Sequence, residues 1–495
     1  MKASTYLAVD LGAESGRVVS GRLTGKALQL EEIHRFTNGG VRLGNHLYWD
    51  VLRLWSEIIA GLHKAGIQAG GCVRSIGLDT WGVDFGLLDA ADHLIGNPHH
   101  YRDKRTDGMM ERVFGIIPQD DVYACTGIQF MQLNSIFQLF AMVKAYDPAL
   151  SNARSFLNMP DLFNFFLTGE KANEFTISTT TQCYNPVEQD WASDLLAALR
   201  IPIHLFGEVV PPGTVLGRLR SSVADELGLS GVSVVASAGH DTASAVAAVP
   251  ATDKDYIYLS SGTWSLMGVE LDRPMINAES LAASMTNEGG VGNTIRFLKN
   301  IVGLWMLQEC RSQWTRSGTD YDYDQLSAMA CESPAFGPLV DLDDERFLSP
   351  KDMVDAIQSL CRETGQTAPV ESGAVVRCVL ESLAMEYRCV TEQLDRLLSK
   401  DHSTIHIIGG GSKNRLLNQF TANATGRTVV AGPVEATAIG NILVQAIAMG
   451  EIDTLAEGRE IVRQSFPAET YYPEDVDAWD QAYERYRKLK RERGV

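Results

Sequence analysis

Neither of the two common glycine-rich nucleotide signatures is present: the 495-residue sequence has no GxxxxGK followed by Ser or Thr, and no GxGxxG. A P-loop NTPase and a Rossmann dehydrogenase are therefore unsupported. It also lacks a CxxC pair, and its eight cysteines are scattered without the Cys/His spacing of a zinc site. That reads as reduced, mostly buried thiols, with Cys361 and Cys378, which flank one short segment, as the pair to watch. Positive charge is scarce: 43 Lys and Arg against 62 Asp and Glu leave a formal charge of −19, spread along the chain. Such a field repels phosphates at long range and opposes nonspecific binding to nucleic acid or anionic lipid. Any anionic ligand must be held by local backbone amides and single basic residues. The longest uncharged run of note, Tyr123 to Val143, is broken by Gln129, Gln132, Asn134 and Gln138, and reads as a buried or half-buried helix rather than a membrane span. The opening "MKASTYLAVDLGAESG" has no apolar core ending in a small-residue cleavage site, so a cytoplasmic protein is expected.

What is present is an alternation. Short β-rich runs ("YLAVDLG", "GRVVSGRL", "SIGLDTWGVDFGLLD") interleave with longer helical ones, which argues for α/β layers. Length alone suggests two or three domains. Residues 256–271, "YIYLSSGTWSLMGVEL", share the form of the opening "YLAVDLGAESGRVVSGRL": an apolar strand, a hydroxyl-rich Gly turn, a second strand. Two such units about 250 residues apart imply a duplicated fold with a cleft between halves and a boundary near Pro250. Further on, Val375, Val379, Leu383, Tyr387, Val390, Leu394 and Leu397 recur at helical spacing as a core-facing stripe. "STIHIIGGGSKNRLLNQF" reads as strand, glycine turn and helix, and the charged C-terminal segment as a helix laid on the body.

Several stretches can carry chemistry. In "DLGAESGR" a strand ends at Asp10, Gly12 permits a tight turn, and Ser15, Gly16 and Arg17 form a donor-rich loop. Loops of this kind aim N–H groups at phosphate oxygens, and an acidic residue at the strand end can hold a metal ion or its waters. Ser260 to Thr263 form a second loop of the same character. Gly409 to Gly411 allow a flat ligand such as adenine close to the backbone, although by themselves they read better as a tight turn. Trp81, Gly82 and Asp84 suit a small polar ligand or a bulge beside a core indole, and "YRDKRTDG" is by default a solvated charged turn. Asp241 in "SAGHDTASAVAAVP" raises the sharpest question. By itself an Asp ahead of a helical run is an N-cap; the competing role is that of a general base.

Taken in order, "AVDLGAESGRV", "IGLDTWGVDFGLLD", "YRDKRTDG", "TTTQ", "GHDTASAV", "YLSSGTWSLMG", "NEGG", "LKNIVGLW" and "AGPVEATAIGN" resemble the FGGY family of carbohydrate kinases over nearly the whole chain. The resemblance implies an α/β fold of two actin-like (ribonuclease H-like) domains with an interdomain cleft: an N-terminal kinase domain over 1–245, a nucleotide-binding domain over 246–450 and a helical segment over 451–495. It implies ATP and Mg²⁺ as cofactors, and a ketose as substrate, with the long blocks pointing to L-rhamnulose phosphorylated at O1 and L-fuculose as the near rival. By resemblance Asp241 is the general base; Gly82, His240, Thr242 and Asn300 contact the ketose; Ala13, Glu14, Ser15, Gly16, Arg17, Thr263, Gln308 and Gly410 surround ATP; Asp10 lies near Mg²⁺. Much of the family has Ser or Thr where Glu14 stands. A carboxylate repels triphosphate, so Glu14 is expected to contact ATP through its backbone only, its side chain turning away or meeting the ion. No nucleic-acid or membrane partner is expected. A non-enzymatic actin-like protein or a sugar sensor with a dead kinase site would not need both Asp241 and the "DTWGVDF" block.

Overall fold

The computed structural model describes residues 3–69, 72–348 and 350–492. They cluster into two compact units, neither of them one continuous stretch: residues up to Thr252 with Glu270–Leu298 and Ala436–Phe466, and Asp253–Val269 with Lys299–Glu435 and the segment from Pro467 onward.

The first unit is built on the strand–turn–strand predicted at the start. Strand Ser4–Leu11 pairs antiparallel with Ser15–Thr24, and the Gly12 N–H donates to the Ser15 carbonyl oxygen at 2.9 Å to close the turn. Ser4–Leu11 also pairs in parallel with Val73–Thr80, which pairs in parallel with Ser233–Ala236, itself antiparallel to Thr214–Arg218. Strand Ala27–Thr37 completes the sheet on the far side of Ser15–Thr24. Buried on both faces, Ser4–Leu11 is apolar almost throughout, as a central strand must be. Helix Val51–Gln68 covers one face with Val51, Leu54, Ile58, Leu62 and Ala65, and Asp50 starts it by accepting the Arg53 N–H.

The second unit repeats this scheme sign for sign. Strand Ile257–Ser261 pairs antiparallel with Trp264–Leu271 and in parallel with Thr404–Ile408, which pairs in parallel with Thr428–Ala431, itself antiparallel to Glu469–Tyr471. The duplication inferred from two hydroxyl-rich turns is therefore present in the strand order. Helix Ser372–Leu398 buries the predicted stripe from Val375 to Leu394, and helix Val476–Glu492 lays Trp479, Ala482, Tyr483, Tyr486 and Leu489 against the body. Cys361 and Cys378 are both buried and free.

One element differs from expectation. Tyr123 to Val143 is not a single helix but the end of Gln119–Thr126 and most of Ser135–Ala145. Gly127 stops the first helix in a left-handed conformation, φ +65°, and its carbonyl oxygen then accepts from the Asn287 backbone and side chain. Among the described residues no helix is long and apolar enough to cross a membrane.

Candidate active site

The first unit gathers Asp10, the 13–17 loop, Gly82 and residues 240–242. Asp10 ends the first strand directly opposite Arg17, whose Nε and Nη2 both reach Oδ2, at 2.9 and 2.7 Å. The parallel neighbour of Asp10 is Asp79, completely buried. Burial raises the Asp79 carboxyl well above the carboxylate range, and the charges of Asp10 and Asp241 raise it further, against a 2.5 Å hydrogen bond from Asn441 Nδ2. Asp241 is likewise raised, first by burial and then by Asp10, although its side chain keeps 30 % of its surface accessible. Asp10 and Asp79 thus share the Arg17 guanidinium, and Asp79 Oδ1 is buried without a partner. A donor set of hard oxygens short of positive charge is one that a hydrated magnesium ion fits.

Asp241 is the first residue of helix Asp241–Ala247, and the cap position belongs to His240, with no side chain closing the turn. The bland alternative for Asp241 is therefore not what the helix uses. Its carboxylate accepts from Thr242 Oγ1 at 3.2 Å and stands 3.4 Å from His240 Nε2. The segment ahead of it is pinned from below. Glu174 Oε2 accepts the Gly239 N–H at 3.0 Å, and Thr176 Oγ1 accepts the His240 N–H at 3.2 Å.

Gly82 faces the same point: a Cβ there would lie 3.4 Å from both His240 Nε2 and Thr180 Oγ1. The next residue, Val83, holds φ +67°, a conformation β-branched residues rarely adopt, and it is fixed by Thr180 Oγ1 on its N–H and by Ser135 Oγ and Gln138 Nε2 on its carbonyl oxygen. Behind it the Trp49 ring stacks on Trp81 and His100, at centroid distances of 3.8 and 4.1 Å. Both indoles donate to Asp84 Oδ2, at 2.5 and 3.0 Å, and burial pushes the Asp84 carboxyl up to about 6 in spite of them. Within the charged turn "YRDKRTDG", Asp103 and Arg105 brace this stack, while Lys104 and Asp107 are exposed. Arg105 donates to His99 Nδ1 and Gln138 Oε1, and Asp103 accepts from the Leu47 and Arg105 backbone. His46, His99 and Asp103 lie close together, but Arg105 occupies the His99 nitrogen, so the group serves as this brace.

The loop itself is held by Asn38, whose N–H donates to the Glu14 carbonyl oxygen and whose Nδ2 donates to that of Gly12. The Glu14 side chain is exposed.

The second unit carries the remaining predicted residues, with Thr263 at the tip of its own hairpin. The carbonyl oxygens of Gly262 and Thr263 accept the N–H groups of Leu304 and Trp305, both at 3.0 Å, which seats the start of helix Trp305–Arg316 and with it Gln308. Gln308 Oε1 is buried without a hydrogen-bond partner. Gly410 borders open space, since a Cβ there would meet nothing within 4 Å. Asn300 is half-buried on strand Ile295–Val302.

Residues missed from sequence are Asp79, Glu174, Glu288 and Arg296. Glu288 stood in the quoted "NEGG" and Asp79 in the quoted "IGLDTWGVDFGLLD", but nothing local marked Glu174 or Arg296.

Comparison with known proteins divides the chain near residue 250. The model of the FGGY family of carbohydrate kinases, N-terminal domain, matches residues 5–248, and that of the C-terminal domain matches residues 257–449. The chain is 48% identical over 486 residues to a rhamnulokinase of Bacteroides thetaiotaomicron, covering 98% of this chain and 99% of that protein. It is 44% identical to a rhamnulokinase of Oceanobacillus iheyensis, with 94% and 97% covered. Among solved structures it is similar to a gluconate kinase from Lactobacillus acidophilus (TM-score 0.82, 16% identity, 99% and 98% covered) and to Plasmodium falciparum glycerol kinase with ADP (TM-score 0.77, 13% identity, 99% and 98% covered).

Proposed function

Since this chain belongs to the FGGY family of carbohydrate kinases, and so is a sugar-phosphorylating enzyme, we propose that its substrate is L-rhamnulose, phosphorylated at O1 by ATP to give L-rhamnulose 1-phosphate and ADP. The support for the substrate is the name carried by relatives 39% to 48% identical over almost the full length. A kinase of this kind draws on the ATP of the cytoplasm, where we place it.

Asp241 is the general base. It takes the proton from the O1 hydroxyl as that oxygen attacks the γ-phosphorus, while the bond from phosphorus to the β,γ-bridging oxygen breaks and ADP leaves. The observation that carries this assignment is the Asp241 carboxyl itself: partly accessible, raised by burial and by Asp10, and set beside His240 and Gly82. A raised carboxyl is a stronger base than an ordinary one and remains matched to work near neutrality. A positioned base contributes about 10² to 10⁴-fold, and positioning and charge stabilisation supply the larger share of phosphoryl transfer.

On the first unit, Gly82, His240 and Thr242 orient the ketose, and Ala13, Glu14, Ser15, Gly16 and Arg17 meet the phosphates, Glu14 through its backbone. On the second, Asn300 is assigned to the ketose and Thr263, Gln308 and Gly410 to the nucleotide. Asp10, with Asp79 behind it, would hold the magnesium ion through water; the ion neutralises phosphate charge when bound.

The deciding experiment is ADP release with Mg-ATP against L-rhamnulose, L-fuculose, L-ribulose, D-xylulose and glycerol, run beside Asp241→Asn. A preference for L-rhamnulose that the substitution abolishes supports both parts. Preference for another ketose overturns the substrate and keeps the base; turnover unchanged in Asp241→Asn removes the base.

A further inference from the structure

The hairpin of Thr286–Gly289 and Ile295–Val302 holds a buried ion pair that the reaction described above leaves unused. Glu288 and Arg296 stand opposite each other in its register. Arg296 is completely buried; its Nε donates to the Gly289 carbonyl oxygen at 2.8 Å and its Nη2 to Glu288 Oε2 at 3.0 Å. The same Nη2 lies 3.0 Å from His240 Nδ1.

A guanidinium offers only donors. Nδ1 of His240 must therefore accept, and a neutral imidazole that accepts at Nδ1 carries its proton on Nε2. That nitrogen is the one 3.4 Å from Asp241 Oδ1, and the one a Cβ on Gly82 would approach. The opposite choice is available in the same place. Glu288 Oε2 lies 3.3 Å from Nδ1 and would draw a proton onto it were the guanidinium absent. Nε2 would then turn a lone pair toward the Asp241 carboxylate and offer no donor to a ligand. Glu288 cancels the charge of Arg296, so the pair constrains the ring without adding net charge beside Asp241.

We propose that Arg296, balanced by Glu288, is a positioning residue that locks His240 in the Nε2–H tautomer, a role that rests on reading Asp241 as the base and His240 as a sugar contact. His240 then turns its Nε2–H toward the Asp241 carboxylate, 3.4 Å away, and a sugar oxygen that meets the ring accepts that hydrogen.

The test is a long-range ¹H–¹⁵N spectrum of the full chain labelled at histidine, at pH 7, with His240 assigned by comparison with His240→Asn. The expected wild-type ring has an unprotonated Nδ1 and a protonated Nε2. In Arg296→Met the pattern inverts, and kcat/KM for the ketose falls at least ~10-fold while the melting temperature is followed in parallel. A wild-type His240 protonated on Nδ1, or on both nitrogens, overturns the proposal even if Arg296→Met does not fold. So does a folded Arg296→Met that keeps the wild-type tautomer. The spectrum needs no turnover, so the two readings fail separately. An active Asp241→Asn removes the base and leaves the tautomer standing, whereas an inverted wild-type ring beside an inactive Asp241→Asn removes only the role of Arg296.

Discussion

Gly440 leaves bare the spot where the Ser244 carbonyl oxygen lies: a Cβ added to Gly440 would fall on that oxygen. The relationship joins helix Ala436–Ala448 to helix Asp241–Ala247, whose first residue is the assigned base. Ser244 is tied in turn to Ala238 through its Oγ, on the far side of Asp241. Gly440→Ala must therefore push the helix that carries Asp241. Overpacking of this kind costs about 1 to 3 kcal/mol, and the displaced carboxylate should lower kcat more than it raises the KM for the sugar. Thermal melting and steady-state kinetics of the variant check both; an unchanged kcat in a destabilised protein would show that the crossing does not position Asp241.

Gly82→Ala should behave in the opposite way. Its Cβ would lie 3.4 Å from His240 Nε2 and Thr180 Oγ1, close to ordinary contact, so the fold can accept it. The space it fills is the one assigned to the ketose. The melting temperature is expected to stay within a degree or two of wild type, since ordinary single substitutions shift stability by a few tenths of a kcal/mol (~0.5), while the KM for the sugar rises several-fold and that for ATP does not. A higher KM for ATP alone would place Gly82 elsewhere in the reaction.

Local signals carried much of this. The two hydroxyl-rich Gly turns lie at the tips of equivalent hairpins, and the stripe from Val375 onward is the buried face of one long helix. What sequence could not carry is set by pairing and by long reach. Asp79 comes beside Asp10 only because Val73–Thr80 runs parallel to Ser4–Leu11 in that register. Glu174 reaches the Gly239 amide from 65 positions away, and Arg296 reaches His240 from 56. No periodicity marks such partners, because each sits in a run whose pattern is already explained by its own strand or helix. Gly127 is different. A glycine inside a supposed helix is a stop signal, and the apolar run on both sides of it outweighed it in the sequence reading.

Glu174 predicts a pH dependence. Burial lifts its carboxyl from 4.5 to about 7, against hydrogen bonds from Thr176, Gly239 and Ile177. The folded protein thus holds this proton over a range in which the unfolded chain has lost it. Stability from this group is complete below the unfolded value and declines as pH rises through the folded one, by at most roughly 3 kcal/mol. Glu174→Gln removes the titration but puts an NH2 in place of one of two oxygens that both accept hydrogen bonds, so it should be less stable than wild type at pH 5 and close the gap by pH 8. Melting temperatures measured for both across that range decide it; a gap that widens with pH would mean that the wild-type carboxyl is stabilised as the anion.

A second buried cluster acts on stability alone and carries the opposite sign at acid pH. Glu386 is completely buried; burial would raise its carboxyl, but Lys299 and Lys490, at 2.9 and 2.7 Å, hold it below the usual range. Lys490 Nζ also reaches Asp343 Oδ2 at 2.8 Å, and Tyr486 Oη donates to Glu386 Oε2 at 2.7 Å, so the last turns of helix Val476–Glu492 are fastened by charge as well as by Trp479 and Tyr486. Lys490→Met leaves the completely buried Glu386 and the partly accessible Asp343 to share the Lys299 ammonium. Breaking one side of such a pair costs about 3 to 5 kcal/mol. The exposed pair Arg487–Glu484, 3.0 Å apart on the same helix, gives the control: Arg487→Met should cost under about 1 kcal/mol. The depressed Glu386 contributes stability above its unfolded value that is lost as pH falls through the folded one, so the wild type should lose its advantage over Lys490→Met on acidification below about pH 4. Equal costs for the two substitutions in urea denaturation at pH 7 would show that hydrophobic docking, not the buried charges, holds the C-terminal helix.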